Sequence, residues 1–98
     1  MFVNVIKSCR DVVAVCDSDL LGKYFEEGDL QLDVKESFYK GEEVSYDEAV
    51  KIISNMANED ATFNIVGKES VRAGIEAGII SKEDVKEIQG ISFCLVLM

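Results

Sequence analysis

Ala61-Thr-Phe-Asn-Ile-Val-Gly67-Lys-Glu-Ser-Val-Arg-Ala-Gly-Ile-Glu-Ala77-Gly78 is the stretch that decides the fold. Ala61 to Val66 is short, apolar and rich in β-branched and aromatic residues, the signature of a strand, and Gly67 ends it. Lys68 to Ala77 then reads as a helix, with Gly78 placed as the first residue beyond its end. A strand that gives way to a helix at a glycine implies a sheet with helices packed on it.

Upstream, Ser45-Tyr46-Asp47-Glu48 has the spacing of a capping box, in which Ser45 caps the Glu48 amide and Glu48 reaches back. Ala49, Val50, Ile53, Met56 and Ala57 follow at helical intervals, so residues 46–57 are predicted as a helix ending at Asn58. Phe2 to Ser8 and Asp11 to Asp17 read as two strands joined by Cys9-Arg10 in an antiparallel hairpin. A loop or short helix follows through Leu20, Leu21 and Gly22. Leu30, Leu32 and Val34 alternate with polar residues, the period of a half-buried strand.

Downstream, Ser81-Lys-Glu-Asp84 opens either a turn or a small helix, and the pattern of Val85 to Ile88 fits a helix or a strand. After Gly90, Ile91 to Met98 is almost continuously apolar, as expected of a strand buried on both faces. Strand, helix and strand in that order predict a parallel crossover at the C-terminal end. The expected fold class is α+β: one compact domain over residues 1–98, with a mixed sheet, an N-terminal antiparallel hairpin, a C-terminal βαβ unit and about two main helices.

Composition narrows the function. The 98 residues contain no histidine and no proline, and nineteen acidic residues against ten basic ones give a net charge of -9. Without histidine there is no Ser-His or Cys-His nucleophile pair and no Cys/His zinc site. The acidic balance removes the attraction that drives non-specific nucleic-acid binding, so DNA is not an expected partner and RNA is expected only indirectly or weakly. Residues 1–45 carry ten acids and five bases, and residues 46–98 nine and five, so no charged tail stands apart. No apolar run is long enough to span a bilayer, the N-terminal residues lack a signal-peptide pattern, and a cytoplasmic location without membrane partners is expected. Cys9, Cys16 and Cys94 are odd in number and lack CxxC spacing, which argues for reduced thiols over a disulfide framework. A reactive thiol at Cys9 is the functional alternative.

Two constellations carry candidate chemistry. The turn Gly67-Lys68-Glu69-Ser70 leaves backbone N–H groups at a helix start, which favour an anion, with Lys68 and Ser70 adding charge and a hydroxyl. A P-loop is excluded, because Thr62 stands where the first glycine belongs and Glu69 separates Lys68 from Ser70. The aromatics Tyr24, Phe25, Phe38 and Tyr39 lie in loop-like stretches with acids around them. They read as core anchors for long loops or as contacts for a protein partner with a basic surface. No catalytic residue, metal site or cofactor is expected. Carboxylates such as Asp17, Asp19, Glu26, Glu27 and Asp29 lack EF-hand order and read as a solvated acidic surface. A homodimer is open if the apolar C-terminal strand lies at a sheet edge.

Cys16-Asp-Ser-Asp-Leu-Leu-Gly-Lys-Tyr-Phe-Glu-Glu-Gly-Asp-Leu-Gln-Leu-Asp-Val34, with Phe38-Tyr39-x-Gly41, Asn64-Ile-Val-Gly67-x-x-Ser70-Val71 and Ala77-Gly-Ile-Ile80, resembles a family of small archaeal proteins. That family is catalogued as domain of unknown function four hundred and twenty-four. The resemblance covers essentially the whole chain and implies a cytoplasmic archaeal protein, with a link to translation or RNA handling. It brings no catalytic residues. Relatives carry a Gly-Val-Pro-His-Ala-Gln segment where this chain has Gly90-Ile-Ser-Phe-Cys-Leu95, so Phe93 stands in place of that histidine. Together these readings predict a non-catalytic interaction module, with an anion- or small-molecule-binding protein, or an enzyme, using the turn at Gly67–Ser70 as the alternative.

Overall fold

The computed structural model describes residues 1–97. Strands β1 (Phe2–Ile6) and β2 (Val12–Cys16) pair antiparallel, Phe2 opposite Cys16 and Ile6 opposite Val12. The chain then makes a 3-10 turn at Ser18–Leu20 and a two-stranded ribbon, β3 (Tyr24–Glu27) and β4 (Leu30–Asp33). A one-turn helix α1 (Glu36–Tyr39) and a two-residue strand β5 (Glu42–Glu43) lead into helix α2 (Tyr46–Ala57). Strand β6 (Thr62–Val66) and helix α3 (Lys68–Glu76) follow, then a 3-10 turn at Lys82–Asp84 and strands β7 (Lys86–Ile88) and β8 (Ile91–Val96). The main sheet has the order β5-β1-β2-β6-β8-β7.

The two long helices form for local reasons visible in the sequence. Ser45 Oγ accepts from the Glu48 amide at 3.2 Å while Glu48 Oε1 accepts from the Ser45 amide at 3.2 Å, so the capping box is complete. Gly78 ends the α3 region at φ 85°, the left-handed conformation glycine adopts without a Cβ penalty.

Alternation in the strands sorts the core into two layers. Val3, Val13, Val15, Phe63, Ile65 and Cys94 pack beneath α2 and α3, against Ala49, Ile53, Val71 and Ala73. Gly74 is what allows α3 to lie so close, since a Cβ there would overlap the Ile80 and Ile65 side chains. On the opposite face Ala14, Cys16 and Val66 are covered by Leu20, Val34 and Tyr39, with Phe25 and Leu32 of the ribbon.

The α+β class, the mixed sheet and the N-terminal hairpin are as expected, but the C-terminal crossover leads from β6 through α3 to β7, parallel in direction to β6, rather than to β8. β8 runs antiparallel to β6, with Phe63 opposite Val96 and Val66 opposite Phe93. The physical reason is one extra reversal: β7 forms before β8 and turns back through Gln89-Gly90, both at positive φ (49° and 78°). Among the described residues the one parallel pair is β2 with β6. Nor is β8 buried on both faces, because Leu95 is 59% exposed. The last residue of that expected strand, Met98, lies outside the described residues. The β1–β2 connection is also longer than two residues. Lys7–Asp11 form the loop, and Asp11 accepts from the Lys7 ammonium at 3.1 Å, which holds its carboxyl below the usual range.

Candidate functional site: an acidic crevice at the ends of the parallel strands

β2 and β6 end side by side at Cys16 and Val66. After β2 the chain turns through Ser18–Leu20 into the ribbon, which reaches Gln89 beside β7, and after β6 it enters α3.

Asp17 stands in the middle of the crevice. Its backbone amide donates to the Val66 carbonyl at 3.1 Å, which continues the sheet one residue further. Its Oδ1 accepts from the Ser70 amide at 2.8 Å and the Ser70 hydroxyl at 2.7 Å, and its Oδ2 accepts from the Glu69 amide at 3.3 Å. The start of α3 therefore already holds an anion, supplied by the chain itself. This corrects the reading of Gly67, Lys68 and Ser70 as an open anion site. Ser70 is fully buried and spends its hydroxyl and amide on Asp17. Gly67, at φ 105° and ψ 151°, lies in a region nearly reserved for glycine, and a Cβ there would overlap the Asp17 carboxyl. Lys68 is exposed at the rim.

Space remains on both sides of Asp17. The larger crevice, about 400 Å³, is lined by Met1, Asp17, Ser18, Asp19, Val44, Tyr46 and Glu69. A smaller one of about 160 Å³ lies between Asp19, Lys68, Gly90 and Ser92. Val44 and Tyr46 give the larger crevice an apolar wall, and Asp17, Asp19 and Glu69 give it carboxylates. Ser18 Oγ donates to Glu43 Oε2 at 2.9 Å and accepts from the Met1 ammonium at 2.6 Å, bringing a further acid and one cation to the rim. Tyr46 is oriented by its hydroxyl, which donates to Glu76 Oε1 at 2.8 Å and is thereby pushed above the usual phenol pKa. The Arg72 guanidinium lies 5.0 Å from the Tyr46 ring centroid and bonds Glu69 at 3.1 Å. An arginine against this aromatic and carboxylate pair is thus already an interaction the site makes. No group of three or more Cys, Asp or Glu is placed to hold a metal ion among the described residues.

The four aromatics do not form one surface. Tyr39 is 5% exposed, and burial pushes its phenol up to about 12, so it is a core residue and cannot be a partner contact. Phe38 packs on it edge to face, centroids 5.1 Å apart, and Phe25 is half-buried against the second core layer. Tyr24 alone is well exposed, at 52%. Sequence reasoning missed the role of Asp17 because its partners lie more than fifty residues away. The signal available was Gly67: a glycine at a helix start often marks close approach by another group.

Fold and site together define a small α+β domain with a carboxylate-capped strand-to-helix turn beside an acidic crevice. The chain belongs to the family described as Protein of unknown function (DUF424), whose model matches residues 6–98. It is similar in structure to an uncharacterized conserved protein from Methanopyrus kandleri, solved by crystallography, with a TM-score of 0.86 and 24% identity over 99% of this chain and 92% of that one. That likeness shows the fold. A search of curated proteins gives no match.

Proposed function

We propose that this protein is a non-catalytic interaction module of the archaeal cytoplasm that receives basic side chains of a protein partner in the crevice beside Asp17. The observation that carries the reading is the lining: Asp19 and Glu69 present carboxylates over the apolar wall of Val44 and Tyr46. A lysine or arginine suits such a site, because its alkyl stem packs on apolar surface while its charged head meets a carboxylate. Net charge of -9 adds long-range attraction for a basic partner and repels nucleic acid. Basic proteins that act on RNA, as in translation, present such side chains, so any RNA association runs through them. The three cysteines are free, which suits a reducing compartment. No helix among the described residues is long and apolar enough to cross a membrane.

The test is an amide NMR titration with an oligo-arginine peptide. Shifts should concentrate at Ser18, Asp19, Val44, Tyr46 and Glu69, weaken as salt rises, and disappear in Asp19→Asn/Glu69→Gln. Shifts spread over all acidic surfaces, or unchanged in that variant, would remove the crevice from the account.

A further inference from the structure

Two residues that line the larger crevice, Tyr46 and Glu69, also hold an arginine of the chain itself. Arg72 leaves α3 three residues after Glu69, and Tyr46 opens α2. The Arg72 guanidinium carbon lies 5.0 Å from the Tyr46 ring centroid while Nη1 donates to Glu69 Oε1 at 3.1 Å. The ring is fixed from its other end, because the Tyr46 hydroxyl donates to Glu76 Oε1 at 2.8 Å. A flat aromatic face with a carboxylate beside it therefore forms a cradle, and its occupant is a guanidinium. Arg72 is only lightly held there, since its side chain is 67% exposed.

This geometry suits arginine over lysine. A planar cation stacks on a ring and hydrogen-bonds in its own plane at the same time. An ammonium is a compact, strongly hydrated charge and gains less from the ring.

We infer that the Tyr46–Glu69 pair is an arginine-selective subsite of the crevice, and that Arg72 is its internal occupant, displaced when a partner's arginine binds. The inference rests on the crevice reading given under Proposed function and names which basic group the crevice takes. Displacement exchanges like for like: the ring and the carboxylate give up one guanidinium and gain another. In the wild type those contacts add nothing net to binding, so Arg72 keeps the partner's hold weak and reversible. Without Arg72 the same contacts are new. An exposed stack and an exposed ion pair together are worth about 5–30-fold in Kd.

Calorimetric titration of the full chain with hexa-arginine and with hexa-lysine tests this. Arg72→Ala should bind hexa-arginine about 5–30-fold more tightly than wild type and gain much less for hexa-lysine. Its melting temperature should be unchanged, because the side chain is exposed and alanine suits a helix. Lys7→Ala removes one positive charge at the far end of β1 and should change both peptides equally and slightly. Arg72→Ala/Tyr46→Leu should lose the excess of arginine over lysine. Equal gains for the two peptides, or no gain for hexa-arginine in Arg72→Ala, would overturn the subsite and leave the crevice standing. Peptide binding that persists unchanged in Asp19→Asn/Glu69→Gln would overturn the crevice and the subsite together.

Discussion

Replacing Asp17 with alanine removes an anion from the start of α3 and should strongly destabilise the domain. Three hydrogen bonds at 2.7, 2.8 and 3.3 Å are lost together. Losing a helix-start cap costs about 0.5–2 kcal/mol. Each buried donor left without a partner costs about 1–3 kcal/mol, and the Ser70 hydroxyl and amide are fully buried. Water entering the vacated space offsets part of this, so about 2–4 kcal/mol is expected. For a domain of this length each kcal/mol moves the melting temperature by about 4–8 °C, which gives a fall of roughly 8–32 °C. Urea unfolding of Asp17→Ala, Ser70→Ala and the double variant forms a cycle, and the double loss should fall well short of the sum. Inorganic sulfate should raise the melting temperature of Asp17→Ala, by taking the freed amides, while leaving the wild type unmoved. A variant within about 0.5 kcal/mol of wild type, or a wild type stabilised by sulfate, would refute the reading of Asp17 as the resident anion.

Gly67→Ala should cost about 1–3 kcal/mol from backbone strain alone, and more from overlap with Asp17, measured by the same unfolding assay. Tyr39→Ala should cost about 3–5 kcal/mol while Tyr24→Ala stays within about 0.5 kcal/mol, since only the first empties a core position. Stability should fall as pH rises above 9. Burial, and then the neighbouring Asp17 carboxylate, push the Cys16 thiol from 9.0 to about 11. The folded state therefore keeps the proton that the unfolded chain gives up, and its stabilisation is complete below pH 9 and lost up to about 11. Cys16→Ala should flatten that part of the melting profile, and an unchanged slope would contradict it.

What the sequence revealed and what it hid follow from the range of the interactions. The α2 capping box is contained within Ser45–Glu48, and the alternation of β1, β2 and β6 is local, so those elements could be read directly. β3 escaped because Tyr24-Phe-Glu-Glu27 has only one half-buried side chain; the signal was Gly28-Asp29, a two-residue turn with φ 59° at the glycine. The direction of β8 depends on whether Val85–Ile88 is helix or strand, a choice four residues do not settle alone. Ile91 to Met98 reads as doubly buried because an apolar run does not tell which side the ribbon covers. The turn at Gly67 reads in the sequence as a place that attracts negative charge. That the charge is Asp17 depends on a tertiary contact with no trace in local pattern.

The most direct test of the central claim is affinity purification of the tagged protein from its native cells, with ribonuclease, comparing wild type with Asp19→Asn/Glu69→Gln. A near-stoichiometric basic protein that survives ribonuclease on the wild type and is lost from the variant is the predicted result. A partner retained equally by both, or lost with ribonuclease alone, would contradict the crevice as the place where this protein meets its partner.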